Sequence, residues 1–136
     1  MGCDIHGIVE IRIGDRWVGI KELKADNRNY DRFAQLASVR GHSGRTPQGI
    51  PLDASDMSMY YIEQWGEDGH SHSHMPLTEA AEIFKFTDKP FIEDHVDKGF
   101  RVKFPYESYF GITTQEDEGC NYPSVDRLRL VFWFDN

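Results

Sequence analysis

The chain has 136 residues, of which 39% are hydrophobic and 13% aromatic, which is enough apolar material for the core of one domain. A formal net charge of −8 at pH 7 disfavours broad electrostatic attraction to nucleic acid or to an anionic membrane surface, so any anionic ligand must be met by local cationic groups. No apolar run approaches the roughly 18 residues that span a bilayer, and the N-terminus lacks the pattern of a secretory signal. We therefore predict a single cytoplasmic domain, residues 1–136.

The first predicted element is an antiparallel hairpin. Residues 4–13, DIHGIVEIRI, alternate with a period of two, as a half-buried strand does. Gly14-Asp15 suits a two-residue type II′ turn, after which RWVGI returns as the second strand. The expected cross-strand pairs are Ile11 with Val18, Val9 with Ile20, and Arg12 with Trp17.

Two helices follow along the chain. Residues 30–40 carry apolar side chains at helical spacing, with Asn27 or Asn29 as the N-cap and Gly41 positioned to end the helix. A second helix is predicted over about residues 79–86, begun by Thr78 and stopped by Pro90. The long connection between them is rich in Gly, Pro, Ser and Asp, a composition often found in functional loops, and its MYYIEQW segment suits a helix or a strand.

The C-terminal region ends in a clear strand pattern. Residues 91–123, including the acidic QEDEG stretch, are predicted to be irregular surface. In RLRLVFWFDN, one face carries Leu128, Leu130, Phe132 and Phe134, and the other carries Arg127, Arg129, Val131 and Trp133. We predict an α+β fold in which an antiparallel sheet formed by both termini has two or three helices packed on one face.

Cysteine chemistry is not prominent in this sequence. Cys3 and Cys120 are too few for a disulfide framework and lack a CxxC spacing, so reduced thiols are expected, although their pairing stays open. Cys3 and His6 stand three apart in the first strand and therefore face opposite sides, which argues against a catalytic pair.

The first strand also places two polar side chains on one face. Asp4 and His6 have the same parity, so they emerge together on the side away from Ile5 and Val9. Three interpretations fit an imidazole and a carboxylate at this spacing. They are two ligands of one divalent metal, or the carboxylate orients the imidazole, or both lie in solvent at a strand edge.

The GHSHSH stretch, residues 69–74, raises a similar choice. If it is extended, His70, His72 and His74 share one face, and His-x-His pairs bind zinc or manganese. A solvated loop before the second helix explains the same residues.

The RNYDRF stretch, residues 28–33, brings Arg28, Asn29 and Tyr30 to a helix N-terminus, where free backbone N–H groups favour an anion. A guanidinium, an amide and a phenol together suit a phosphorylated or otherwise polar small molecule. The alternative is structural, with Asn29 as a cap and Tyr30 packed.

Several stretches together resemble a family of uncharacterised bacteriophage and prophage proteins: MGCDIHGIVEIR, RNYDRFAQLASVRG, GIPLD, DGHSHSHMPLT and RLRLVFWFDN. The resemblance runs along nearly the whole chain and implies a location in the host cell cytoplasm, but it brings no activity. Proteins of this type and size often counter a host defence signal. The residues that the resemblance marks are Cys3, Asp4, His6, Arg28, Asn29, Tyr30, His70, Ser71 and Ser73.

The leading hypothesis is an accessory protein that binds a small polar, nucleotide-derived ligand and so counters host defence. Its expected ligand-binding residues are Asp4, His6, Arg28, Asn29, Tyr30, His70, Ser71 and Ser73. The first alternative is a metal-dependent hydrolase in which Asp4, His6, His70 and His72 hold zinc or manganese. The second is an acidic decoy that inhibits a host protein through surface carboxylates.

Overall fold

The computed structural model describes residues 2–24, 28–42, 44–88, 106–113 and 124–135. Four of the sequence predictions fall outside these ranges: the Asn27 cap, the Pro90 helix stop, the QEDEG loop and Cys120. Most of the stretch 91–123 lies outside them too, although residues 106–110 form one π-helical turn. Within the described residues, no helix is both long and apolar enough to cross a membrane.

Four antiparallel strands form one sheet in the order β2-β1-β4-β3. The strands β1 (Asp4–Ile13) and β4 (Leu128–Asp135) are the central pair, so both ends of the chain meet in the middle of the sheet. The edges are β2 (Arg16–Glu22) and β3 (Gly69–Pro76). The predicted α+β class, with a sheet built from both termini, is confirmed.

Helices cover both faces of the sheet, whereas the sequence predicted them on one face. On one face, α1 (Tyr30–Ala37) and α3 (Leu77–Thr87) pack as predicted against the even-numbered side chains of β4, with Phe33 of α1 meeting Phe134 edge-on at 5.1 Å. On the opposite face, α2 (Asp56–Trp65) packs through Ile62 against Val131 and Trp133. The second face of β4, which carries Val131 and Trp133, is therefore covered by α2 and does not face solvent.

The hairpin shows one departure from the expected register. Gly14 has the positive φ of 66° that the predicted turn requires, and Ile11 pairs with Val18 as expected. The prediction that Val9 pairs with Ile20 is wrong, because a bulge shifts the register and Val9 lies opposite Lys21.

The helix ends also differ from the predicted ones. The first helix ends at Ala37 because Ser38 adopts a left-handed conformation, φ 56°, and its N–H bonds to Ala34, so Gly41 does not end it. The second predicted helix begins at Leu77, directly after Pro76, so Thr78 lies within the first turn and is not the cap. Asn29 does cap α1, and the MYYIEQW segment is helical.

A buried ion pair ties α2 to the sheet. Glu10 of β1 is fully buried and accepts from Arg129 Nε of β4 at 2.5 Å. Its other carboxylate oxygen accepts from the Ser55 backbone N–H at 2.7 Å and the Ser58 hydroxyl at 2.6 Å, at the start of α2. Arg129 also donates to Asp53 at 2.9 Å. Both carboxylate oxygens are thus satisfied, which a buried charge requires.

Candidate functional site

Two carboxylates face each other where β1 begins and β4 ends. Asp4 and Asp135 are direct cross-strand partners in the ladder between the two central strands. Like charges in this position are destabilising unless each has its own counter-group. Each carboxylate here has one, and the surface formed by Asp4, His6, Arg28, Tyr30 and Asp135 is called the Asp4–Asp135 site below.

Arg28 is the counter-group of Asp4. Its Nε donates to Asp4 Oδ1 at 2.8 Å and its Nη2 to Oδ2 at 3.2 Å, a bidentate arrangement that fixes the guanidinium plane. The hydrogen bond from Arg28 lowers the pKa of Asp4, so this carboxylate is ionised at neutral pH. Both side chains are about half exposed, at 52% for Arg28 and 44% for Asp4. The pair therefore lies within reach of a ligand.

His6 is the counter-group of Asp135. Its Nε2 lies 2.5 Å from Asp135 Oδ2, across 129 residues of sequence. The imidazole stacks on Trp65, the last residue of α2, with ring centroids 4.1 Å apart. A carboxylate that holds one ring nitrogen fixes the orientation of the imidazole and leaves the other nitrogen for a ligand. Asp4 and Asp135 thus each orient one donor group.

Tyr30 joins the site to the first helix. Its phenolic oxygen accepts the backbone N–H of Cys3 at 3.3 Å, and the guanidinium of Arg40 lies 5.2 Å from the centre of its ring.

The side chain of Cys3 is fully buried on the face of the sheet opposite to His6, and burial raises the pKa of its thiol. The prediction that Cys3 and His6 face opposite sides is confirmed, since His6 contacts Trp65 and Cys3 joins the core under α1.

Asn29 has a structural role in this conformation. Its Oδ1 accepts the backbone N–H of Arg32 at 3.0 Å, and its Nδ2 donates to the carbonyl of Thr87 at 3.3 Å. The side chain therefore caps α1 and links it to the end of α3. The backbone N–H of Arg32, one of the groups at this helix end that the sequence predicted to bind an anion, is therefore already hydrogen-bonded.

The three histidines of β3 do not share a face, so that expectation is wrong. Ser71 has a positive φ of 54° and forms a bulge between His70 and Ser73. The extra residue reverses the alternation of the strand. His70 consequently stacks with Phe134 on the α1 face, whereas His72 stacks with Trp133 on the α2 face.

The two serines of β3 are engaged in local bonds. Ser71 Oγ lies 3.0 Å from His70 Nδ1. Ser73 is buried, and its Oγ accepts the backbone N–H of Gln48 at 3.0 Å. Together with the bond from the Gly49 N–H to the His72 carbonyl, this contact holds the loop before α2 along the edge of the sheet. Neither serine contributes to the Asp4–Asp135 site.

The residues of the predicted metal site are divided by the sheet. Asp4 and His6 lie at the start of β1, where His6 contacts Trp65, whereas His70 packs on the other face against Phe134. Among the described residues, no group of three or more His, Cys, Asp or Glu side chains is placed to hold a metal ion. The physical reason is the bulge at Ser71, which removes His70 from the face that carries His6.

Asp135 and Trp65 contact His6, although no sequence motif indicated either residue. Both belong to elements far along the chain from His6, and neither stands in a recognisable motif. Asp135 lies two residues after Trp133 in β4, so both side chains belong to the face of the sheet that α2 covers. This spacing is the sequence signal that places Asp135 on that face.

No protein-family model matches this chain, and the searches of curated proteins and of solved structures found no similar protein. The resemblance to bacteriophage proteins therefore remains a prediction from the sequence.

Acidification is expected to destabilise the fold through His72 and His74. Burial lowers the pKa of both imidazoles, so the folded state favours their neutral form. Below the unfolded-state pKa of about 6.5, the unfolded chain binds more protons than the folded chain. The free energy of unfolding therefore decreases as the pH is lowered. Urea unfolding of the wild type should show a lower midpoint at about pH 5.5 than at about pH 7.5.

The double variant His72→Gln/His74→Gln should show a smaller change in midpoint over the same interval. His42→Gln removes an exposed histidine and serves as the control, which should keep the wild-type pH dependence. An undiminished pH dependence in the double variant would contradict the assignment.

Proposed function

We propose that the protein binds a small polar ligand with an anionic group, such as a nucleotide-derived molecule, at the Asp4–Asp135 site. The observation that carries the proposal is the pairing of two facing carboxylates with two donors, Arg28 and His6. Facing carboxylates repel each other, and here two partly exposed donor side chains offset that repulsion, so the arrangement adds little to the stability of the sheet. In a binding site, the same carboxylates hold the donors in fixed orientations before the ligand arrives.

Arg28 retains hydrogen-bond donors for a ligand. A guanidinium carries five N–H donors, and the bidentate bond to Asp4 uses one on Nε and one on Nη2. The remaining ones can meet a phosphate or carboxylate group of a ligand, at a residue that is half exposed. Because the whole chain carries a net charge of −8, recognition of an anion depends on such local donors. Capture of a signalling nucleotide by a bacteriophage-type protein would counter a host defence.

Arg28→Ala is expected to weaken ligand binding by about 10- to 100-fold, the range for losing a hydrogen bond to a charged group. Isothermal titration calorimetry at low salt would measure this with AMP, GMP, CMP, UMP, ribose 5-phosphate and inorganic phosphate. Thermal unfolding of the variant would verify that it is folded.

Arg45→Ala is the matched control, because Arg45 is also half exposed and, within the described part of the chain, its guanidinium pairs with Glu79 at 4.0 Å. It should leave the affinity unchanged. Absence of heat with every titrant for the wild type, or an equal loss in both variants, would refute the proposal.

A further inference from the structure

The indole of Trp133 is a buried donor that has no hydrogen-bond partner among the described residues. The side chain is 1% exposed, and its Nε1 makes no hydrogen bond within the described part of the chain. Buried polar groups in folded proteins are almost always hydrogen-bonded, and an unmade bond costs the full desolvation of the group. Phenylalanine would supply a buried aromatic ring here without that cost. The indole N–H therefore calls for an explanation beyond packing.

The Trp133 ring adjoins the Asp4–Asp135 site. Trp133 is the direct cross-strand partner of His6, and the two ring centroids are 6.1 Å apart. On the other side of Trp133, the His72 ring stacks with it at 6.4 Å and an interplanar angle of 21°. Three aromatic rings therefore form a row across β1, β4 and β3. The row starts at the imidazole that Asp135 orients.

Trp65 covers one end of this row from the C-terminal end of α2. It stacks on His6, is only partly buried, and packs against the cluster that contains Trp133. It is the last residue of α2, and Gly66 follows with φ 53° and ψ −129°, a conformation that glycine adopts readily. Rotation about the side-chain bonds of Trp65 would displace its indole from His6 without a change in the helix.

We infer that the ligand carries a planar ring with a hydrogen-bond acceptor, as a nucleobase does, and that this acceptor receives the N–H of Trp133 in the space now filled by Trp65. This inference rests on the proposed function and specifies the second half of the ligand. Arg28 meets the anionic group, while His6, His72 and Trp133 surround the ring. Stacking on aromatic side chains is a general mode of base recognition, and the indole N–H adds a directional contact.

The test follows the indole N–H signals and the backbone amide signals of uniformly ¹⁵N-labelled protein. The chain has three tryptophans, and Trp17→Phe and Trp65→Phe variants assign their signals. Saturation with whichever of AMP, GMP, CMP or UMP binds most tightly should shift the Trp133 signal downfield, as a newly hydrogen-bonded proton does. Ribose 5-phosphate, which lacks the base, should perturb the backbone signal of Arg28 and leave the Trp133 indole in place.

The outcomes separate this inference from the proposed function. A nucleotide that perturbs Arg28 while the Trp133 indole signal stays unmoved overturns the inference and leaves the function standing. Absence of any perturbation by all titrants overturns both.

An isosteric variant provides a second measurement that does not depend on signal assignment. Site-specific replacement of Trp133 by benzothienylalanine exchanges only the N–H group for sulfur and keeps the shape of the ring. The affinity for the nucleotide should fall about tenfold, the effect of one lost hydrogen bond, whereas the affinity for ribose 5-phosphate should not change. Equal nucleotide affinities for the variant and the wild type would overturn the inference.

Discussion

Arg129→Met is expected to lower the free energy of unfolding by about 3–5 kcal/mol, the typical cost of removing one partner from a buried ion pair. The substitution keeps much of the side-chain length but leaves the fully buried carboxylate of Glu10 without its cationic partner. It also removes the guanidinium that lies 4.0 Å from the centre of the Trp17 ring and the bond to Asp53. The start of α2 would consequently lose part of its attachment to the sheet.

Urea unfolding followed by circular dichroism would measure the effect on stability. The matched control is Arg45→Met, because the pair of Arg45 with Glu79 is half exposed and 4.0 Å long. Exposed ion pairs contribute about 0–1 kcal/mol, so the control should unfold nearly as the wild type does. A loss below about 1 kcal/mol for Arg129→Met would show that Glu10 does not depend on this partner.

Local patterns in the sequence were sufficient for most elements of the fold. Alternation in β1 and β4 identified both strands and their apolar faces, because side chains in a strand alternate between two faces. The same reasoning failed at two bulges, beside Ile20 in β2 and at Ser71 in β3. The position of a bulge depends on the twist of the whole sheet and on contacts with the neighbouring strands. A short stretch of sequence does not contain that information.

The bulge at Ser71 had the larger consequence for the predicted site. A strict alternation over GHSHSH places three imidazoles on one side, whereas the inserted residue sends His70 to one face and His72 to the other. A shift of one residue reverses every side chain beyond it. The predicted metal set therefore depended on a register that local patterning does not determine.

The site itself was predicted in part. Asp4 and His6 share a face because they belong to one strand, and that relation follows from their spacing alone. Their partners lie elsewhere in the chain: Arg28 is 24 residues from Asp4, and Asp135 is 129 residues from His6. Which residue of β4 meets His6 depends on the pairing of the two terminal strands, a tertiary relation.

Phe134→Ala is the second substitution expected to have a large effect, with a loss of about 3–5 kcal/mol, as found for large aromatic residues in well-packed cores. Phe134 is fully buried and meets Phe33 at 5.1 Å and Phe132 at 6.0 Å, so its removal leaves a cavity between the sheet and α1. It also precedes Asp135 in β4. Loss of its packing should therefore loosen the strand that positions His6.

Phe86→Ala is the matched control, because it makes the same chemical change at a side chain that is 68% exposed. Substitutions at such surface positions usually alter stability by less than about 0.5 kcal/mol. Urea unfolding of both variants gives the comparison, and nuclear magnetic resonance of the His6 ring reports on the site. Similar losses of stability in the two variants would contradict the assignment of Phe134 to the core between the sheet and α1. A perturbed His6 signal in Phe134→Ala alone would link that core to the orientation of the site.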